Sequence, residues 1–369
     1  METHPEAKHY HRIKNRLFII NLFLSLAVLI TIMLSGFSIW LKTHLAVTVP
    51  AGVLLNGAYF IVLSVILYCA GFPFDFYEGF IVEHRFKLSN QTLSNYLQDN
   101  LKKAIISLII GVIVIEGLYL FLEKFAQAWW IFAAVGWFCL TVILTKITPS
   151  VIIPLFYKYL PLEDEALRER IKELFIKTKT PLKDVSMINF SSKTKKLNAA
   201  VVGFGKNRRV ILADTLLGEL SHDEIISIVA HELGHYKNKD TVKIIMFSAV
   251  VTTVLFFLSD IVLKRSFSFF GYEAIFDIAG FPLFALIMLV LGFLVLPLQN
   301  GFVRSLEEKA DSYSICLTKT PDIFISMMEK LSAKNLADMN PSKFVEIMLY
   351  DHPPIAQRIR LAQALKEKL

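Results

Sequence analysis

Cysteine is scarce in this chain, three in 369 residues, and none of Cys69, Cys139 and Cys316 belongs to a C-x-x-C pair. A disulfide framework and a thiolate metal site are both excluded. Charge is thin as well: Asp, Glu, Lys and Arg make up 19% of the residues and hydrophobic types 54%, which rules out a disordered or ordinary soluble protein. Gly203 and Gly205 do not complete G-x-G-x-x-G, because Arg208 stands where the third glycine belongs, so a nucleotide loop is not supported. The chain has no internal repeat and no low-complexity tract. Its net charge of +7 lies beside apolar blocks and in the hydrophilic middle, a placement that suits anionic headgroups better than nucleic acid.

Long apolar runs are what the chain has in excess. Six blocks, at about 17–41, 51–71, 104–122, 129–153, 243–263 and 281–300, each approach the roughly 20 residues a helix needs to cross a bilayer. The expected fold is a mainly α, multi-pass bundle in a lipid bilayer. The basic N-terminus precedes a run longer than the roughly 7 to 15 residues of a signal-peptide core, with no clear cleavage site, so it is expected to stay as an anchor. Lys8, Arg12, Lys14 and Arg16 precede the first block, Arg85, Lys87, Lys102 and Lys103 follow the second, and 155–242 is rich in Lys and Arg. The alternate loops carry chiefly Lys42, Lys124, Lys264 and Arg265. Positive charge therefore places both termini and both large hydrophilic regions in the cytoplasm. The expected division is helices one to four over 1–154 with a polar loop at 72–103, a hydrophilic unit at 155–242, helices five and six over 243–300, and C-terminal helices over 301–369. A short tail without a retention signal favours a bacterial inner membrane.

The unit at 155–242 reads as α+β. Leu167, Ile171, Leu174 and Phe175 share one face of a helix over Glu163–Lys179, which Thr180-Pro181 ends. Short β-like runs follow at Val185–Phe190, Ala199–Val202 and Arg209–Ala213, with Gly203, Gly205 and Asn207 punctuating the last turn.

The chemistry concentrates in SHDEIISIVAHELGHYKNKD, residues 221–240. Ser221 and Glu224 form a capping box, so a helix begins there, and Lys237 and Lys239 sit where a helix C-terminus favours cations. His231 and His235, four apart, stack on one face with Glu232 beside the first, the H-E-x-x-H arrangement of two zinc ligands and a general base. The bland alternative is two solvated histidines; Gly234 inside the helix costs about 1 kcal/mol and asks for a packing reason. A catalytic zinc needs a third protein ligand and an open position. RSLEEKADSYS offers Glu307 and Glu308, and Asp311 lies one turn after Glu307. Glu307 is the expected ligand, with Asp311 accepting the free ring N–H of a ligand histidine; a plain charged helix is the alternative.

HELGH, the R-x-x-E-x-x-A-D string at Arg304, Glu307, Ala310 and Asp311, the run NAAVVGFGKNRRVILADTLL from Asn198, HPP at His352, and GFPFDFYEGFIVEHRFKLSNQTL from Gly71 together resemble the CAAX prenyl protease 1 family, the type I zinc-dependent CaaX endopeptidases. The resemblance covers roughly residues 60–365. Six spans and a short tail depart from eukaryotic members, which have seven spans and a longer hydrophilic insertion. The resemblance implies spans around an intramembrane chamber, a zinc at its cytoplasmic side, substrate contacts at Asn198, Ala199 and Ala200, and His352 and Arg358 lining the site.

The reading is an integral-membrane zinc endopeptidase with one zinc per chain on His231, His235 and Glu307, and with Glu232 and His352 as catalytic residues. Its expected partners are the lipid bilayer and peptide or protein substrates, either CaaX-type prenylated or other lipid-associated and membrane peptides, and no nucleic acid. An HtpX-like quality-control protease shares H-E-x-x-H but does not account for the segment from Gly71. A noncatalytic scaffold has no use for Glu232.

Overall fold

The computed structural model describes residues 5–203 and 208–369, so Gly205 and Asn207 lie outside the described residues. Among the described residues, six helical stretches are long and apolar enough to cross a membrane: Pro5–Leu34, Val53–Arg85, Leu93–Lys124, Trp129–Phe156, Asp240–Phe270 and Ile278–Thr318. Each contains most or all of one apolar block.

The first block is not one helix. Helix α1 (Pro5–Leu34) stops at Ser35-Gly36, and Gly36 takes the left-handed φ of +72° before α2 (Phe37–Thr48) begins. A glycine adopts that backbone at little cost, so the apolar run turns there without a polar signal. α2 has 12 residues, short of the span length.

The expected loop at 72–103 is mostly helix. α3 (Val53–Phe76) runs through a π turn at Tyr77–Val82 into Glu83–Arg85, and α4 (Leu93–Lys124) starts at the Thr92 cap, leaving only 86–92 as the break. Its polarity has another cause. Glu83 accepts from Tyr10 Oη at 2.5 Å and from Lys196 Nζ at 2.9 Å, and Lys14 pairs with Glu78 at 3.3 Å. These charged groups join α1, α3 and the hydrophilic unit at one end of the bundle. At the other end, Lys42 of α2 pairs with Asp277 at 3.0 Å.

α5 (Trp129–Ile147) continues through a second π turn to Phe156. The hydrophilic unit then opens with β1 (Tyr159–Pro161), followed by α6 (Glu165–Lys177), β2 (Asp184–Ile188), β3 (Ala199–Val202) and β4 (Arg209–Ala213). The sheet order is β1-β2-β4-β3, with β2 and β4 parallel and both outer strands antiparallel to their neighbours. β1 carries no sequence signal, having three residues and a proline that only an edge position tolerates. β3 is the opposite edge, paired with β4 from Ala199↔Leu212 to Val202↔Arg209; no strand among the described residues pairs with its other side.

α7 (His222–Lys237) packs on this sheet, and Lys239, at φ +56°, turns the chain into α8 (Asp240–Ser266). α9 (Phe281–Thr318) has 38 residues, about 57 Å at 1.5 Å each. That is nearly twice the ~30 Å hydrocarbon layer, so its last turns project beyond the membrane. There is no break at 300: the span and the segment carrying Glu307 are one helix. α10 (Pro321–Asn335), α11 (Lys343–Leu349) and α12 (Ile355–Lys366) complete the unit. One apolar core holds α6, β2, β4 and α7 with the last turns of α9, α10 and α12; a second, built on Tyr59, Tyr119 and Trp129, sits among the spans.

Candidate active site

α7 starts as its sequence dictates. Ser221 Oγ accepts from Glu224 N–H, and Glu224 Oε2 accepts from Ser221 N–H at 2.8 Å. The same carboxylate also takes Ser326 Oγ at 2.7 Å and Lys330 Nζ at 2.7 Å, so the cap ties α7 to α10. Burial raises the Glu224 pKa, but these donors outweigh it and hold it below the usual range.

α7 crosses α9 closely because both helices are small at the contact. A Cβ on Gly234 would stand 3.1 Å from Ala310 Cα and 3.2 Å from its carbonyl oxygen, and Ser314 Oγ donates to Ser227 O at 2.7 Å. Gly234 thus has its packing reason. The crossing sets Glu307 and Asp311, one turn apart on α9, against His231 and His235 of α7.

One donor atom from each of His231, His235 and Glu307 lies within 4.8 Å of the others. His231 Nε2 and His235 Nε2 are 3.1 Å apart, Glu307 Oε2 is 3.3 Å from the first and Glu307 Oε1 3.2 Å from the second. Four tetrahedral ligands about 2.0–2.1 Å from a zinc stand about 3.3–3.4 Å apart, so the spacing fits that ion. Glu308, by contrast, is exposed and points about 100° away from Glu307 around α9.

Each outer ring nitrogen faces a carboxylate. His231 Nδ1 lies 2.8 Å from Asp311 Oδ1, and His235 Nδ1 3.0 Å from Asp240 Oδ2. Both carboxylates are buried. A carboxylate calls for the proton on Nδ1, which turns both Nε2 lone pairs inward at each other and at Glu307. Three converging lone-pair donors repel unless a proton or a cation lies among them. In the metal-free chain a proton does so: burial lowers the His231 pKa, but Asp311 and Glu307 beside it prevail and push it up to about 9. His235 is raised too, burial again being outweighed, here by Glu307 and Asp240. Glu307 Oε2 is a buried oxygen without a hydrogen-bond donor, a further sign of room for a cation.

Glu232 projects from the partly open side of α7, and among the described residues it has neither a hydrogen-bond nor an ion-pair partner. His352 is half exposed, with Nε2 3.3 Å from Glu307 Oε1 and Nδ1 2.8 Å from Asp351 Oδ1. Asp351 raises its pKa against burial, and Glu307 adds to the effect. Arg358 is not presented as a free anchor for a substrate carboxylate. It is buried, and its Nε and Nη2 bind both oxygens of Asp311 at 2.7 and 2.5 Å. The sequence offered no means of telling which carboxylate it would meet. Asn198 is exposed at the start of β3 with its carbonyl taken by Ala213 N–H at 3.0 Å, and Ala199 and Ala200 follow on the edge strand.

Three contributors escaped sequence reasoning. Asp240 reaches His235 only because the chain breaks its helix at Lys239, so no helical spacing flags it. Arg304 donates to the carbonyls of Glu346 and Tyr350, and Asn300 to that of Met348, which fixes the segment leading to His352. The signal for Arg304 lay in the R-x-x-E-x-x-A-D string, whose arginine had no assigned partner; Asn300 lies outside that string.

The profile described as peptidase family M48 matches residues 161–366, and a second, described as CAAX prenyl protease N-terminal with five membrane helices, matches 1–158. The chain belongs to peptidase family M48. It is an integral-membrane, multi-pass metalloendopeptidase, and the resemblance to CAAX prenyl protease 1 holds. An uncharacterized metalloprotease YhfN of Bacillus subtilis is 31% identical over 97% of this chain and 84% of its own length. A CAAX prenyl protease 1 homolog of Arabidopsis thaliana is 31% identical over 78% of this chain and 68% of its own. The crystal structure of S. mikatae Ste24p superposes with a TM-score of 0.87 at 25% identity, covering 97% of this chain and 88% of that one. Within 1–158 this M48 peptidase has four stretches of spanning length together with the 12-residue α2.

Proposed function

We propose that this peptidase is a zinc enzyme that cuts extended peptides at the cytoplasmic face of a bacterial cell membrane, with prenylated CaaX-type peptides as its main substrate class. The convergence of His231 Nε2, His235 Nε2 and Glu307 carries the reading. These three residues would hold one ion per chain. Bound there, zinc would supply Lewis acidity to the scissile carbonyl and to the attacking water.

The remaining work belongs to this chain's side chains. Glu232, with no competing partner, takes the proton of the attacking water and passes it to the leaving amine. His352, whose protonated form Asp351 favours, would donate to the oxyanion that develops at the carbonyl. Asp311 and Asp240 hold the ligand imidazoles by their Nδ1 protons, and Arg358 keeps Asp311 ionised and in place. The open edge of β3, from Asn198 through Ala199 and Ala200, accepts the substrate as an added strand by main-chain hydrogen bonds.

Such pairing reads little sequence, so selectivity falls to the apolar part of the substrate. Between 11 and 28% of the residues in the spans' apolar windows are buried, so most of the span surface is apolar and open to lipid. The lysines and arginines that flank α1, α3 and α4 at the sheet end support the cytoplasmic placement.

Digestion of a farnesylated CaaX peptide beside its unprenylated twin and an unfolded membrane protein tests the substrate class. Preferential cleavage of the farnesylated peptide is expected; cleavage of the unfolded protein alone would replace the proposal with a quality-control role.

A further inference from the structure

A groove of about 660 Å³ runs along the first turns of α1, between that helix and the segment 338–345, with none of His231, His235 and Glu307 among its lining residues. Its helix wall carries Lys8, Arg12 and Arg16. They are spaced by four residues, which puts them on one side of the helix with a slow drift. All three are exposed, and none has an ion-pair partner among the described residues. Their neighbour Lys14 differs: it points the other way and pairs with Glu78 and Glu83.

Directly below Arg16 the same wall turns apolar with Ile19 and Ile20, both exposed, where α1 enters its spanning run. From Lys8 to Arg16 the rise is about 12 Å, and Ile20 lies about 6 Å further on. The headgroup layer on each side of a bilayer is about 5–7 Å deep. Arg12 and Arg16 therefore occupy headgroup depth while Ile19 and Ile20 lie at acyl-chain depth. The facing wall contributes one acid, Asp338, against the three cations.

We propose that this groove is a binding site for one anionic phospholipid, its phosphate held by Arg12 and Arg16 with Lys8 above, and its acyl chain lying along Ile19 and Ile20. A free phosphate shares the headgroup chemistry but has nothing to place on the isoleucines. The site goes beyond the general attraction of basic loops to a membrane, because it needs this helix face and this depth. Its consequence is mechanical: a lipid seated there fixes the depth of α1, whose Tyr10 and His11 reach Glu83 and Tyr350.

The test uses the full chain in neutral detergent, with thermal unfolding followed as phosphatidylglycerol, phosphatidylcholine or inorganic phosphate is added. Phosphatidylglycerol is expected to raise the midpoint saturably, and the other two to leave it unchanged. In Arg12→Gln/Arg16→Gln the half-saturating concentration should rise by roughly fivefold per cation, about 25-fold in all, while Arg12→Lys/Arg16→Lys retains most of the response. Lys102→Gln/Lys103→Gln, which removes two other cations beside a span, should respond as the parent does. An equal loss in that variant would reduce the effect to diffuse charge attraction and overturn the site. A response to inorganic phosphate of the same size would make it a free-anion site instead. Should the glutamine pair fail to fold, Lys8→Gln/Arg12→Gln, with Arg16 kept, provides the comparison, and an unchanged phosphatidylglycerol response in it would also overturn the site.

Discussion

The two imidazoles of α7 show how little of the proposed metal site would rest on its ligands alone. His231 and His235 were legible from their spacing of four, and Glu307 from its place one turn before Asp311. What orients them was half legible: Asp311 follows from helical spacing, whereas Asp240 comes into range only through the left-handed turn at Lys239. Asp311→Ala and Asp240→Asn should each lower metal affinity or activity by roughly 10 to 100-fold, the cost of losing the group that sets a ligand's ring. Metal titration of each variant checks this, and an unaffected Asp240→Asn would show that His235 needs no orienting partner. A second prediction concerns protons. In the metal-free chain His231 titrates at about 9, against about 6.5 in an unfolded chain. Its protonation therefore stabilises the metal-free fold fully below about pH 6.5, and that stabilisation is lost as pH rises through 9. Metal binding must displace this proton, so uptake at pH 7.5 should release about one proton from this group, and the release should fade above pH 9. Calorimetry in buffers of different ionisation enthalpy measures it; no proton release at pH 7.5 would contradict the raised pKa.

Among the elements, the crossing of α7 and α9 positions everything else. The Gly234→Ala substitution gains roughly 1 kcal/mol of helix propensity but forces a methyl to 3.1 Å from the Ala310 backbone, an overpacking worth about 1–3 kcal/mol. The expected result is a lower melting temperature together with weaker metal retention, since a shift of α9 moves Glu307. A variant that gains stability and keeps its metal would mean that the crossing has slack. The sequence flagged Gly234 as unusual without naming its neighbour, because the partner lies 76 residues away on a different helix. The edge strand β3 was legible as a β-run, but its place at the rim of the sheet depends on an order, β1-β2-β4-β3, that includes a strand without sequence signal.

For the whole molecule, block length was enough to read a bundle with six helices of spanning length, because a hydrocarbon layer imposes that length. It was not enough to locate the joints. Gly36 divides the first block, the polar residues of 72–85 belong to helix, and α9 joins a span to the metal centre without interruption. Polarity along the chain reports what a residue meets, and Glu83 meets Lys196, not water. Topology reporters fused after Lys42, Lys124 and Arg265 should report the outside, and those after Lys103, Asp214 and Leu369 the inside; α2 then turns at the outer surface without crossing. An outside signal at Leu369 would require an odd number of crossings and would put the charge bias at fault. The claim on which all else rests is that α7 and α9 jointly hold one metal ion used by Glu232. The most direct measurement of it is the metal content of purified protein, taken with peptidase activity on the same samples. One zinc per chain is expected in the parent and in Glu308→Ala, and loss of zinc in His235→Ala and Glu307→Ala. Glu232→Gln should keep the zinc while losing activity by roughly 10²–10⁴-fold. Full metal content in Glu307→Ala, or an active Glu232→Gln, would contradict the account.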